Sequence, residues 1–344
     1  MSDLKTCSIN NRRYLGNKYK LLSFIKNVVK ENCHGIKTVA DIFSGTGAVA
    51  SAFSKEILIT NDLMYSNYLA NYAWFSAEKY DEELIKQIIM YYNSLKKRER
   101  NYMTENFANT YFDFNDCSII GFIRDDIEKK HKKGEINNRE RAILITSLLY
   151  AMDKIAKTCG HYDAYIKGAS YDKHIEMILP LVPNDNNPEN RCFNLDANEL
   201  VHNIYADLVY IDPPYNSRQY CDAYHLLENV ARWEKPDVIG TAKKMDRKGM
   251  KSKYCTKDAA IVFADLVANL NCKYILFSYN NMANKGNGRS NAKISDENII
   301  EILKTRGEVI VFSENYKAFT TGKSDIKENA ERLFLCIVKD GVKS

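Results

Sequence analysis

An acidic residue, two prolines and a tyrosine stand together at Asp212-Pro213-Pro214-Tyr215, directly after the apolar residues 208–211. The apolar run predicts a buried strand, and the prolines must end it because they donate no ladder hydrogen bond. A carboxylate, a carbonyl and an aromatic ring are thus fixed at the carboxyl end of a strand, where open α/β sheets place their ligands. The chemistry that suits this cluster is methyl transfer to an exocyclic amino group. An adenine N6 is a poor nucleophile because its lone pair is delocalised into the ring. The Asp212 side chain can accept one N6 hydrogen and the Pro213 carbonyl the other. Pulling on both would free the lone pair. Tyr215 offers a face for a flipped base, a contact of about 1–3 kcal/mol, and extrusion of the base from a duplex is implied.

Such a strand end needs a sheet around it, and a second cluster supplies one. Residues 38–42 predict a short buried strand, with Asp41 near its end. The turn Phe43-Ser44-Gly45-Thr46-Gly47 follows, then helix-like residues 48–53. Gly45 and Gly47 permit close backbone approach by a nucleotide-type ligand, although a glycine pair alone is equally a plain turn. A third glycine and a Gly-Lys-Ser/Thr sequence are missing, which disfavours NAD and ATP. Residues 57–60 predict the next strand, ending at Asn61-Asp62, and an acid there suits ribose hydroxyls. Upstream, the basic run Arg13-Tyr14-Leu15-Gly16-Asn17-Lys18-Tyr19-Lys20 opens an amphipathic helix. Basic residues at a helix start oppose the helix dipole, so an anionic cofactor group or phosphate nearby would rationalise them; a solvated positive turn is the plainer alternative.

In this order (the Arg13 to Lys18 segment, the F-x-G-x-G loop, a gap of over 160 residues, then D-P-P-Y) the chain resembles the alpha-group adenine-N6 DNA methyltransferases of restriction-modification systems. The resemblance spans most of the chain. It implies a Rossmann-like, S-adenosylmethionine-dependent α/β methyltransferase sheet, with a mainly helical insertion between the cofactor loop and the D-P-P-Y strand. Residues 1–62 and 191–344 would form the catalytic domain, and residues 63–190 the insertion and candidate target-recognition region. Carried over, Phe43, Ser44, Gly45, Thr46 and Gly47 would line the cofactor, with Asp41 and Asn61 beside them and Asp62 on its ribose. Tyr14, Gly16, Asn17 and Lys18 would lie near its methionine end, and Asp196 near its adenine, with Asp207 a nearby competitor for that last role. Asp212, Pro213, Pro214 and Tyr215 would hold the target adenine. Expected partners are double-stranded DNA and a cognate restriction endonuclease, for a monomer or weak dimer. The alternatives are an RNA adenine or protein amide acceptor, or a non-catalytic DNA-binding protein. An Asp rather than an Asn at 212 argues against the amide.

The remaining sequence is less specific. Residues 80–95 and 139–155 carry helical periodicity, and the segment 158–167 combines a glycine break, two tyrosines and a lysine. The polar loop 183–191 is the clearest internal boundary. Between Lys235 and Asp258 stand eight Lys or Arg and three Asp, a local excess equal to the net charge of +5 of all 344 residues. Phosphate contacts dominate non-specific DNA affinity, so Lys243, Lys244, Arg247, Lys248, Lys251 and Lys253 are candidate DNA contacts, together with Arg218, Tyr220, Arg289 and Lys317. Residues 274–277, 308–312 and 333–338 predict further strands, the last two antiparallel as the resemblance implies. No apolar run approaches a membrane span, and the polar N-terminus lacks a signal-peptide core. Nine cysteines without a C-x-x-C pair predict reduced thiols, no metal is expected, and the expected location is the cytoplasm, or a host cell's interior for a virus-encoded chain.

Overall fold

The computed structural model describes residues 4–12, 14–96, 98–215, 217–280, 293–315 and 330–339. The chain divides into two compact units. One comprises Lys18–Leu63, Glu189–Tyr220 and Gly249–Ser344. It is built on a seven-stranded sheet whose strands are β1 (Thr38–Asp41), β2 (Ile57–Asn61), β3 (Arg191–Phe193), β4 (Ala206–Ile211), β5 (Cys272–Asn280), β6 (Gly307–Asn315) and β7 (Ala330–Val338). Their spatial order is β3-β2-β1-β4-β5-β7-β6. The first five run parallel, and β7 is antiparallel to both β5 and β6. The sequence predicts every strand but β3, which has only three residues and follows directly on the polar loop.

β4 is central and buried at all six positions, which is why it reads as a continuous apolar run and not as an alternation. On one face Val209 and Ile211 join Ile275, Phe277 and Phe334 in a cluster with Phe263, Leu266 and Val267 of the helix Ala259–Asn269. Burying each such side chain contributes about 1.5–3 kcal/mol. Chain order and spatial order part company between β1 and β4: β1 continues to β2 on one side, while β4 lies on its other side. At such a switch point, open α/β sheets place their ligands beyond the carboxyl ends of the two strands.

The second unit comprises Met1–Asn17, Met64–Pro188 and Cys221–Lys248. It contains the helices Tyr65–Phe75, Glu82–Asn93, Tyr102–Phe107, Phe114–Lys132, Asn138–Ile155 and His225–Arg232, plus a short parallel pair, Thr6–Cys7 with Leu179–Pro180. Residues 1–17 and 221–248, expected with the catalytic part, pack with these helices. Asn137 and Glu140 form a capping box that starts Asn138–Ile155, and that helix buries Ile143, Leu144, Leu148 and Met152. The fully buried Glu228 accepts the first backbone N–H groups of Tyr65–Phe75, from Tyr65 at 2.8 Å and Ser66 at 2.9 Å. An acid at a helix N-terminus satisfies donors that the helix itself leaves open. No helix among the described residues is long and apolar enough to cross a membrane.

Candidate active site at the carboxyl ends of β1 and β4

The glycine loop after β1 is held from below by the end of β2. Ser44 donates its backbone N–H and its hydroxyl to the Asn61 carbonyl, each at 2.9 Å. Gly45 donates its N–H to Asp62 Oδ2 at 2.8 Å. Gly45 and Gly47 take φ values of 51° and 81°, a region that a Cβ disfavours, so glycine is required at both. Asn61 is buried, and its amide is consumed by the backbone: it donates to the carbonyls of Ile42 and Leu195 and accepts from Leu195 N–H. Asn61 therefore shapes the cleft from behind. Phe43 meets Tyr254 edge to face at 5.1 Å, and the Tyr254 hydroxyl donates to Asn198.

Asp196 and Asp207, which the sequence leaves as competitors, have different work. Asp207 sits at the amino end of β4, accepting from the N–H groups of Lys37 and Thr38 and from Lys273. Burial would raise its carboxyl, but Lys273 and the two backbone donors bring it down to about 2. Five residue steps along the strand separate it from Asp212, about 16 Å. Asp196 follows β3 at the carboxyl edge and caps the short helix Ala197–Leu200 through Asn198 N–H.

Asp212 leaves β4 beside this loop. Its side chain is 16% exposed, and Lys18 Nζ lies 2.8 Å from its Oδ1. The same ammonium is 3.2 Å from Glu331 Oε1. Lys18 also stands 6.0 Å from the centre of the Tyr215 ring. Burial pushes the Asp212 carboxyl up to about 6, with Lys18 opposing and Glu331 adding to the rise. Lys18 stays protonated, since its two carboxylates outweigh its burial. Asp41, at the end of β1, is pushed up to about 8 by burial and then by Asp212 and Asp62. Its Oδ1 is buried without a hydrogen-bond partner, an acceptor on the floor of the crevice that a bound ligand would satisfy. Tyr215 is braced from behind by Tyr279: the rings meet edge to face at 6.0 Å, and the Tyr279 hydroxyl donates to the Tyr215 carbonyl at 3.4 Å.

The expected site residues separate into those this unit brings together and those it does not. Asp41, Phe43 to Gly47, Asp62 and Asp212 to Tyr215 share the carboxyl ends of β1, β2 and β4. Lys18, expected near the methionine end of a cofactor, has its ammonium on Asp212. Tyr14 belongs to the helical unit, stacks on Tyr224 at 4.6 Å and accepts from Asn67. Gly16 turns the chain with φ 77° after Tyr14, and Asn17 N–H closes that turn on the Tyr14 carbonyl. Sequence gives little warning of Glu331: its only signal is an acid beside Arg332 at the start of a strand whose remaining residues are apolar.

The basic stretch also changes meaning. Lys235, Lys244 and Arg247 lie 2.6, 2.8 and 2.7 Å from Asp125, Asp163 and Asp222. Three of its eight cations are thus matched by carboxylates from elsewhere in the helical unit, leaving a local excess of two. Lys248, Lys251, Lys253 and Arg218 are exposed, Lys243 and Tyr220 half-buried. The loop carrying Arg218 is pinned where Gln219 exchanges two hydrogen bonds with the Ser252 backbone. Arg289 and Lys317 lie outside the described residues. In the helical unit Asp113, Asp116 and His174 converge, a grouping not visible in the sequence. Two of their oxygens are taken by backbone N–H groups, Asp113 capping a helix at Asp116 and Asp116 holding Ile175.

Comparison with known proteins matches residues 14–283 to a family described as D12 class N6 adenine-specific DNA methyltransferase. The StsI modification methylase of Streptococcus sanguinis is 36% identical over 85% of this chain and 46% of its own length. The Type II methyltransferase M.FokI of Planomicrobium okeanokoites is 31% identical over 93% of this chain and 51% of its own. The chain thus spans about half the length of these relatives. M.NlaIII of Neisseria lactamica, also a Type II methyltransferase, is 28% identical over 91% of this chain and 93% of its own.

Proposed function

The chain belongs to the D12 class N6 adenine-specific DNA methyltransferases, and on that premise we propose that it methylates adenine N6 at a specific site in double-stranded DNA, using S-adenosylmethionine. The observation that carries the reading is Asp212-Pro213-Pro214-Tyr215 at the carboxyl end of β4, next to the glycine loop of β1, with Lys18 on the Asp212 carboxylate.

The residues present suit the cofactor. Gly45 and Gly47 hold the loop in the left-handed region, Asp62 lies against the Gly45 N–H, and Asp41 Oδ1 is buried without a hydrogen-bond partner. When bound, it supplies a methyl carbon activated by a sulfonium. Asp212 and the Pro213 carbonyl accept the two N6 hydrogens and draw the nitrogen toward tetrahedral geometry. Tyr215 supports the flipped base. Asp212 and the Pro213 carbonyl would hold the N6 lone pair toward that carbon, so that the new N–C bond would form as the C–S electrons stay on the departing sulfur. Asp212 then takes the proton that N6 gives up. Its carboxyl at about 6 is more basic than an ordinary aspartate yet still ionised at pH 7. Transfer is direct, so catalysis rests on positioning and preorganised charge.

Exposed Lys248, Lys251, Lys253 and Arg218 are the proposed phosphate contacts, with a restriction endonuclease as functional partner and a monomer or weak dimer as the acting species. The test is incubation of the purified chain with unmethylated DNA and S-adenosylmethionine, followed by single-molecule sequencing, with Asp212→Ala alongside. N6-methyladenine at one short motif, absent with Asp212→Ala, is the expected result. Cofactor binding without any methylated adenine would refute the acceptor, and an active Asp212→Ala would refute the mechanism.

A further inference from the structure

Glu331 lies beyond the residues that match the family, on β7, two strands away from Asp212. It is 4% exposed, and the sheet has no packing need for a charge there: its strand neighbours Leu333, Phe334 and Leu335 are wholly buried and apolar. A buried carboxylate costs several kcal/mol unless it is paired and hydrogen-bonded. Glu331 has both. Its Oε1 accepts from Ser278 Oγ at 3.1 Å and from Lys18 at 3.2 Å, and its Oε2 accepts from Asn280 Nδ2 at 3.2 Å. Ser278 and Asn280 stand at the carboxyl end of β5, and the antiparallel register sets Glu331 opposite Asn280.

Lys18 and Asp212 would by themselves form a neutral pair. With Glu331 the three groups carry a net charge of −1 around one ammonium. We propose that Glu331 is a positioning residue of the methyl-transfer site, sharing Lys18 so that Asp212 is oriented through Oδ1 while its other oxygen stays a strong acceptor for the reacting amino group. The proposal rests on the methyl-transfer reading above. Its physical content is a division of labour. A lysine paired with Asp212 alone would draw negative charge from the carboxylate that must pull on N6. Anchored on its other side by Glu331, Lys18 fixes the carboxylate's orientation at smaller cost to its basicity. The added negative charge also favours the positive charge that N6 acquires as its new bond forms.

The groups facing Asp212 are Lys18 ahead of the helix Leu22–Asn32, Tyr210 on β4, Glu331 on β7 and Asp41 at the end of β1. Of these, Glu331 raises the Asp212 carboxyl and Lys18 lowers it. Glu331→Gln removes the first influence and frees Lys18 to close on Asp212, so both effects lower it. In the full-length protein without DNA or cofactor, the Asp212 carboxyl, followed by difference infrared titration and identified by its loss in Asp212→Asn, is expected to titrate about one pH unit lower in Glu331→Gln. The acid limb of kcat moves down with it. Plateau kcat falls about threefold to tenfold, with KM for DNA and for cofactor within about twofold. Glu331→Asp keeps the charge and keeps the limb in place.

An unmoved Asp212 titration in Glu331→Gln overturns the proposal, whatever happens to kcat. So does a loss confined to KM. Should Glu331→Gln fail to fold, Ser278→Ala, which leaves Lys18 as the donor to Glu331 Oε1 and so draws it away from Asp212, is expected to shift the same titration upward by less, and no shift there overturns the proposal. Wild-type protein that methylates no DNA would refute the methyl-transfer reading separately, because the titration of Asp212 needs no substrate.

Discussion

Replacing Lys18 with methionine removes a charge and little volume, and its consequences can be worked out from three side chains. The wild-type ammonium lies 2.8 Å from Asp212 and 3.2 Å from Glu331. Without it, two buried carboxylates face each other across the gap. Loss of a close opposite charge raises a carboxyl by about 1–3 units. The Asp212 limb, near about 6 in the wild type, then lies at about 7–9. At pH 7 the ionised fraction falls from about 0.9 to between about 0.5 and 0.01, because each unit is tenfold. Turnover at pH 7 should therefore drop about twofold to ninetyfold and recover as the pH is raised. Breaking a buried pair also destabilises the fold by about 3–5 kcal/mol. The sign of its pH dependence follows from proton counting. Both folded states keep the Asp212 proton that the unfolded state loses near pH 4, so the variant's deficit is flat below the wild-type limb at about 6 and grows as pH rises from there toward the new limb. The assay is kcat with both substrates saturating from pH 5.5 to 9.5, alongside urea unfolding at each pH. An acid limb unmoved from the wild-type position would refute the reasoning. Absence of turnover at every pH in a folded, cofactor-binding variant would also refute it, since Lys18 would then act on something other than Asp212.

Asp41→Asn should gain on the wild type as pH rises from 4 to 8, by about 1.4 kcal/mol per pH unit. The Asp41 carboxyl, at about 8 in the fold, stays protonated where the unfolded chain has already ionised. Urea midpoints at pH 5 and pH 8 measure the difference, and a constant gap would mean that the folded carboxyl is ionised throughout. Alanine at Lys248, Lys251 and Lys253, all exposed, should each reduce the salt slope of DNA binding by about one without changing the site recognised. Lys244→Ala should leave that slope unchanged, since its ammonium is already on Asp163; titrations at several salt concentrations distinguish the two cases. Tyr215→Ala should cost roughly 1–3 kcal/mol of base stacking, about 5- to 150-fold in kcat/KM for DNA. Cofactor affinity, measured by calorimetry, should change little, because the ring is braced by Tyr279 and not by the glycine loop.

Much of the site was legible in the sequence because its signals are local. The strand before Asp212 is apolar at successive positions, the prolines stop it, and Gly45 and Gly47 mark a turn with positive φ. Strand periodicity and turn chemistry act over a few residues, so the cleft's two halves can be read without knowing how they meet. The residues that tune the chemistry depend on contacts distant in the chain. Lys18 reaches Asp212 across 194 positions, and Glu331 reaches Lys18 across 313, only because β7 pairs antiparallel with β5 in one register. A register slip by one residue would turn Glu331 to the opposite face of the sheet. Asp196 and Asp207 look alike in sequence, yet one stands at the carboxyl edge and the other at the amino end of β4, because strand direction alone distinguishes them. The basic stretch shows the same limit. Composition counts its cations, but whether a lysine faces solvent or a carboxylate depends on residues more than eighty positions away, as Lys244 and Asp163 show. The sequence determined which groups are present and which local turns present them. Packing decided which carboxylates share an ammonium, since desolvation and pairing are properties of the folded neighbourhood and not of residue order.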